Sequence, residues 1–177
     1  EHIGKDVKLP QAADISFDLA WSAARNARLG AGPDFNMVLC ADKAKPGPNP
    51  TGYMLNFDRN WLTVMHVSND PAARQHATLG RVGLTQFLEG KSSMHVRVIV
   101  NRITRRLHIL INGNEAGEMQ DEAPAAPEGT AIILGGEGDT GLKLRRLRVE
   151  SWNGLIGSKL PASAKSNQDK DLLLAVD

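Results

Sequence analysis

Apolar side chains fall on every second residue of this chain, in run after run. Residues 14–21 read DISFDLAW, with Ile15, Phe17, Leu19 and Trp21 on one parity and Asp14, Ser16, Asp18 and Ala20 on the other. A period of two is the signature of a strand with one face buried. Phe35, Met37 and Leu39 repeat it, as do Tyr53, Leu55 and Phe57, then 61–67, then Met94, Val96, Val98 and Val100, then Leu107, Ile109 and Ile111. The runs 130–135 and 142–152 complete the series. Between them stand turn signals: PGPNPTG at 46–52, SNDP at 68–71, Asn112-Gly113 and GGEGDTG at 135–141. Asn-Gly between alternating apolar runs predicts a tight hairpin, because both residues accept positive φ. Arg59-Asn60 predicts another short turn.

Helical periodicity is nearly absent. SAARNARLGAG at 22–32 is broken by Gly30, Gly32 and Pro33 and reads as a loop, and 86–89 allows a single helical turn. About ten short strands with no helical run predict an all-β fold, a two-sheet antiparallel β-sandwich over residues 1–156. The segment 157–170, GSKLPASAKSNQDK, has linker composition. DLLLAVD at 171–177 is either the start of a following domain or a strand returning to the sandwich.

The order of motifs FDLAW, GYMLNF, NRITRRLHILINGNEAGE, GTAIILGG and LRRLRVESWNG, spread over roughly 3–154, resembles the concanavalin A-like, laminin G-like jelly-roll superfamily. The resemblance implies two curved sheets of about six strands, a concave ligand face, and an extracellular, periplasmic or cell-surface setting in a bacterial secreted protein. It also invites a check for catalysis. Laminarinase-type members carry Glu-x-Asp-x-x-Glu on one strand, as paired carboxylates for retaining hydrolysis. Here Glu137-Gly138-Asp139 is followed by Leu142 at the second glutamate's place. The keto-disaccharide hydrolase-like branch has Gly-Tyr-Glu, and here Gly52-Tyr53 precedes Met54. Both departures favour a non-catalytic carbohydrate- or protein-binding module over a hydrolase or lyase. A purely structural inter-domain module is the third reading.

Candidate ligand residues are those on the outward parity of the central strands: Asn36, Met54, Asn56, His66 and Arg97. Asn and Arg carry fixed donor groups that suit hydroxyls and carboxylates. Of the tryptophans, Trp21 shares parity with the core, Trp152 closes one end, and Trp61 beside a turn is the one expected to be exposed and able to stack on a sugar.

No cofactor is expected. The histidines (2, 66, 76, 95 and 108) show no zinc spacing. Asp70, Asp121, Glu122 and Asp139 offer oxygen ligands for calcium at a loop rim, without EF-hand spacing. The single cysteine, Cys40, lies in the apolar run FNMVLC and reads as a buried hydrophobe.

Charge argues against a nucleic-acid partner. Lys and Arg total 21 against 20 Asp and Glu, and aromatics are 5% of residues. Arg102, Arg105 and Arg106, with Arg145, Arg146 and Arg148, read as hairpin-edge solubilisers. No apolar stretch reaches the ~18 residues of a membrane span. Neighbouring domains of the same chain are expected partners.

Overall fold

A computed structural model of the chain describes residues 2–22, 32–44, 50–69, 76–136, 141–154 and 174–175. Among these residues the strands are β1 (His2–Asp6), β2 (Ala12–Ala20), β3 (Asp34–Ala41), β4 (Gly52–Asp58), β5 (Trp61–Val67), β6 (His76–Gly83), β7 (Ser93–Asn101), β8 (Arg106–Ile111), β9 (Asn114–Gln120), β10 (Ala131–Gly136), β11 (Lys143–Ser151) and β12 (Leu174–Ala175). One helical turn, α1 (Thr85–Leu88), lies between β6 and β7. The first sheet has the order β1-β10-β3-β4-β5-β6 and the second β12-β11-β2-β7-β8-β9. All pairings are antiparallel. The chain is an antiparallel β-sandwich with jelly-roll architecture.

The alternation read from the sequence builds the core. Ala13, Ile15, Phe17 and Leu19 of β2 are fully buried, and the residues between them are half-buried on the outer face. Phe17 of the second sheet packs on Phe35 and Phe57 of the first, with ring centroids 6.4 Å away from each. Each buried Phe contributes roughly 1.5–3 kcal/mol, so these rings fasten the two layers together. Trp21 joins the same core, and Trp152, just past β11, is half-buried.

Register shifts interrupt strict alternation, and those in β3 and β11 reshape the core. Val38 pairs with Ile133 and Ala41 with Ala131, so β3 carries one more residue than β10 over this interval. Cys40 takes φ +56 there. The bulge turns Cys40 into the main core while Val38 and Ala41 join a second apolar cluster. In β11, Arg145 pairs with Asp18 and Arg148 with Ser16, and Arg146 takes φ +52. That bulge lets Leu144 and Leu147, three apart, both pack on the core.

Asn112 and Gly113 have φ +52 and +80, the geometry a I′ hairpin turn requires. Residues 59–60 turn β4 into β5, as expected. Two edge strands, β1 and β6, were not expected from the sequence. HIGKD has little apolar content, and HATLGRVG carries two glycines and a register shift opposite Val64 and Met65. The expected loops at 22–32, 46–52, 68–71 and 135–141 fall partly outside the described residues, and the linker at 157–170 falls wholly outside them. Leu174 and Ala175 pair with Leu144 and Lys143 at the edge of the second sheet.

Candidate functional site

The outer face of the first sheet divides into two halves. One half is apolar, with Val38, Val67 and Ile133 buried under Ala44, Met54 and Met65. The other half is polar and strictly in register. Asn36 pairs with Asn56, Asn56 with Thr63, and Thr63 with Arg81. At ~4.8 Å per strand, this row of four side chains spans about 14 Å. The next row places Asp34 opposite Asp58 and Asp58 opposite Trp61. Trp61 is 41% exposed, with the Arg81 guanidinium 4.2 Å from its ring centre. That cation–π contact holds the indole at the end of the row. Among the described residues, Asn36, Asn56 and Thr63 make no side-chain hydrogen bond. Their donors and acceptors therefore remain for solvent or a ligand.

Asn36, Met54, Asn56 and Trp61 thus share one surface, and His66 and Arg97 lie elsewhere. His66 was expected to face outward. It pairs with Tyr53 in register and shares the core-facing parity of Leu62 and Val64, so it is buried at 8% exposure. Counting from Trp61, which points outward, gives the correct face. Arg97 stands on β7, on the outer face of the opposite sheet. Its guanidinium donates to both carboxylate oxygens of Asp14, from Nε to Oδ1 at 2.9 Å and from Nη2 to Oδ2 at 2.5 Å. That bond raises the Arg97 pKa against a smaller effect of burial. The guanidinium fork assigned to a ligand is occupied by the protein.

His66 belongs to a second locus, at one end of the sandwich. Tyr53, fully buried, donates its hydroxyl to Asp121 Oδ2 at 2.9 Å. The Ala123 amide donates to Asp121 Oδ1 at 2.9 Å. His66 Nδ1 lies 3.0 Å from Asp121 Oδ2, but it is not aligned to hydrogen-bond with it. The pair is a close electrostatic contact rather than a hydrogen bond. Burial first, then the Asp121 carboxylate, pushes the Tyr53 phenol well above its ordinary pKa and keeps it protonated. His66 and Asp121 line a groove of about 970 Å³ between β5–β6 and the segment 121–129.

Arginines hold that segment in place. Arg105 donates to the Ala123 carbonyl. Arg102 donates to the carbonyls of Glu128 and Gly129 at 3.0 and 3.1 Å and to that of Leu9 at 3.0 Å. Arg106 pairs with Glu118 and Gln120, and Arg146 with Asp18. These four arginines therefore serve the fold. Asp121, considered for a calcium rim, turns inward to Tyr53, and Asp70 and Asp139 lie outside the described residues. Among the described residues no three metal-ligating side chains gather, and no helix is long and apolar enough to cross a membrane.

No protein-family model matches the chain, and no curated protein matches it in sequence. Solved structures do match in shape. Sheep galectin-11, in complex with glycerol, aligns with TM-score 0.59 at 8% identity, over 83% of this chain and 96% of that one. The chain shares a jelly-roll β-sandwich fold with it. The carbohydrate-binding module CBM66 from Bacillus subtilis aligns with TM-score 0.51 at 12% identity, over 79% of this chain and 75% of that one. The botulinum neurotoxin serotype D binding domain aligns with TM-score 0.53 at 13% identity, over 79% of this chain but only 33% of that one.

Arg81 and Thr63 complete the polar row and were absent from the sequence-based set. Thr63 shares outward parity with Trp61 and could have been found by counting. Arg81 lies on β6, whose bulge hides its alternation. The Tyr53–Asp121 bond joins residues 68 apart in the chain, and no local pattern announces it.

Proposed function

We propose that the chain is a non-catalytic carbohydrate-binding module, with the polar half of the first sheet's outer face as its ligand surface. The observation that carries this reading is the in-register row Asn36–Asn56–Thr63–Arg81, in which Asn36, Asn56 and Thr63 keep free side-chain hydrogen-bonding groups. A sugar presents hydroxyls at short intervals, and a row of amides and a hydroxyl offers matched donors and acceptors. Trp61 adds an indole, 41% exposed, for packing against the apolar C–H face of a ring. A carbohydrate-binding module, CBM66, has the same fold and supports this choice over a protein ligand. A laminin G-like or keto-disaccharide hydrolase-like ancestry and an extracellular or cell-surface setting fit the same reading.

The test is a glycan array, followed by titration of Asn56→Ala and Trp61→Ala against any glycan that binds. Both substitutions lie on the surface and should weaken binding by about tenfold each, the loss of 1–2 kcal/mol in hydrogen bonds or stacking. A glycan that binds both variants as tightly as the native chain sinks the proposed surface.

One observation favours a catalytic alternative, a hydrolase or lyase acting on a sugar. His66 and Asp121 lie 3.0 Å apart and line a groove, as a base and its orienting carboxylate do. Turnover of disaccharide substrates that disappears in His66→Gln would support it. Absence of turnover leaves the binding module.

A further inference from the structure

We propose that the ligand of the polar row is an acidic sugar, carrying a carboxylate or a sulfate ester, and that Arg81 selects it. This inference rests on the carbohydrate reading of that face and adds the charge of the ligand. Arg81 is exposed on β6, with its guanidinium carbon 4.2 Å from the centre of the Trp61 ring. The attraction between the cation and the ring holds the guanidinium in place. Among the described residues, no hydrogen bond or ion pair takes up its N–H donors. The arginines that serve the fold are used differently. Arg97 and Arg146 are bound to carboxylates, and Arg102 and Arg105 to backbone carbonyls. Arg81 is thus a positioned cation with an open fork. A guanidinium fork matches two oxygens of one oxyanion.

The place of Arg81 on the sheet gives that fork a sugar to act on. Thr63 stands beside it in register, and Asn56 stands beside Thr63. At ~4.8 Å per strand, Arg81 lies about 10 Å from Asn56. A sugar laid across this interval meets Asn56 and Thr63 with its hydroxyls and Arg81 with its acidic group. The charges of the face fix the direction. Asp34 and Asp58 pair across β3 and β4, whereas Arg81 stands on β6, beyond β5. Carboxylates in one corner repel an anion, and the guanidinium in the opposite corner attracts it. A neutral sugar gains nothing from this separation, while an acidic one is both held and oriented by it.

The experiment is a glycan array holding neutral, uronate-bearing and sulfated glycans, probed with the native chain and with Arg81→Gln. The native chain should bind in one of the acidic arms, and which arm it binds identifies the oxyanion. The best acidic glycan is then titrated beside its neutral form on the same backbone, methyl-esterified or desulfated. Loss of the charge should weaken binding to the native chain by about fivefold, as should Arg81→Gln with the acidic glycan. The variant should bind both forms equally, because the two changes remove the same contact. Asn56→Ala should weaken both forms alike. Binding of neutral glycans alone, with the Asn36 and Asn56 amides shifting in NMR, would overturn the acidic ligand and leave the carbohydrate surface standing. An acidic glycan that Arg81→Gln binds at native strength would do the same if Asn56→Ala still weakens it. Binding to no glycan would overturn both.

Discussion

Replacing Tyr53 with phenylalanine removes one oxygen atom and tests how the end of the sandwich is held. The ring keeps its place, since Tyr53 is fully buried and packs edge-on against His66 at 5.6 Å between centroids. What is lost is the 2.9 Å hydrogen bond to Asp121. A hydrogen bond to a charged group is worth about 1.5–3 kcal/mol, and the partner left behind is a buried carboxylate. Asp121 retains the Ala123 amide and the nearby imidazole, which limits the loss to about 2 kcal/mol. For a chain of this size, that corresponds to a fall of about 4–8 °C in Tm. Equilibrium unfolding in urea should show a lower midpoint with the slope m unchanged. A double-mutant cycle with Asp121→Asn isolates the pair, with a coupling of at least ~1 kcal/mol expected. A Tyr53→Phe variant within ~0.5 kcal/mol of the native chain would refute the claim that this bond anchors the groove.

Three further outcomes follow from other parts of the structure. Cys40 is buried, and burial, partly offset by Arg102, pushes its thiol up to about 12. Thiol reagents at pH ~8 should label the native chain at least about 100-fold more slowly than the unfolded chain, because the thiolate is the reactive form. At Gly4, an added Cβ would meet the backbone carbonyl of Ala44. Gly4→Ala should cost about 1–3 kcal/mol in urea unfolding, by forcing β1 or residue 44 to move. Burial pushes the Asp18 pKa upward, but hydrogen bonds from Arg146 and His95 outweigh it and hold the carboxyl below its ordinary value of 3.8. The unfolded chain then binds this proton more readily, so Asp18 stabilises the fold above its ordinary pKa and loses that contribution as pH falls through the lower folded value. The stability gap between the native chain and Asp18→Asn should therefore narrow between pH ~5 and ~2. A gap that does not change with pH would contradict these bonds.

Most of the architecture was legible because alternation is a local property. Ile15, Phe17 and Leu19 declare their face within five residues, and Asn112-Gly113 declares its turn within two. What escaped local reading involved bulges, edges and long-range contacts. At β6 a bulge and two glycines blur the period, and with that strand Arg81 was lost from the candidate set. At Cys40 the bulge reverses parity without any change in residue type. For His66 the error was one of register, since a shift of one residue moves a side chain to the opposite face. Arg97 was read correctly as outward. Its use could not be read, because Asp14, its partner, lies 83 residues away in sequence. The polar face itself was half visible. Asn36 and Asn56 could be named from parity alone, whereas their alignment with Thr63 and Arg81 depends on a strand order that only the fold supplies.

The central claim is that sugars meet the chain on the row Asn36–Asn56–Thr63–Arg81. The most direct measurement follows the side-chain amide resonances of Asn36 and Asn56, and the Trp61 indole N–H, as a glycan selected from the array is titrated in. The account predicts that these three signals move together, saturably and with one dissociation constant, while the Arg97 signal on the opposite sheet stays fixed. A glycan that binds while leaving both amides and the indole unmoved would contradict it.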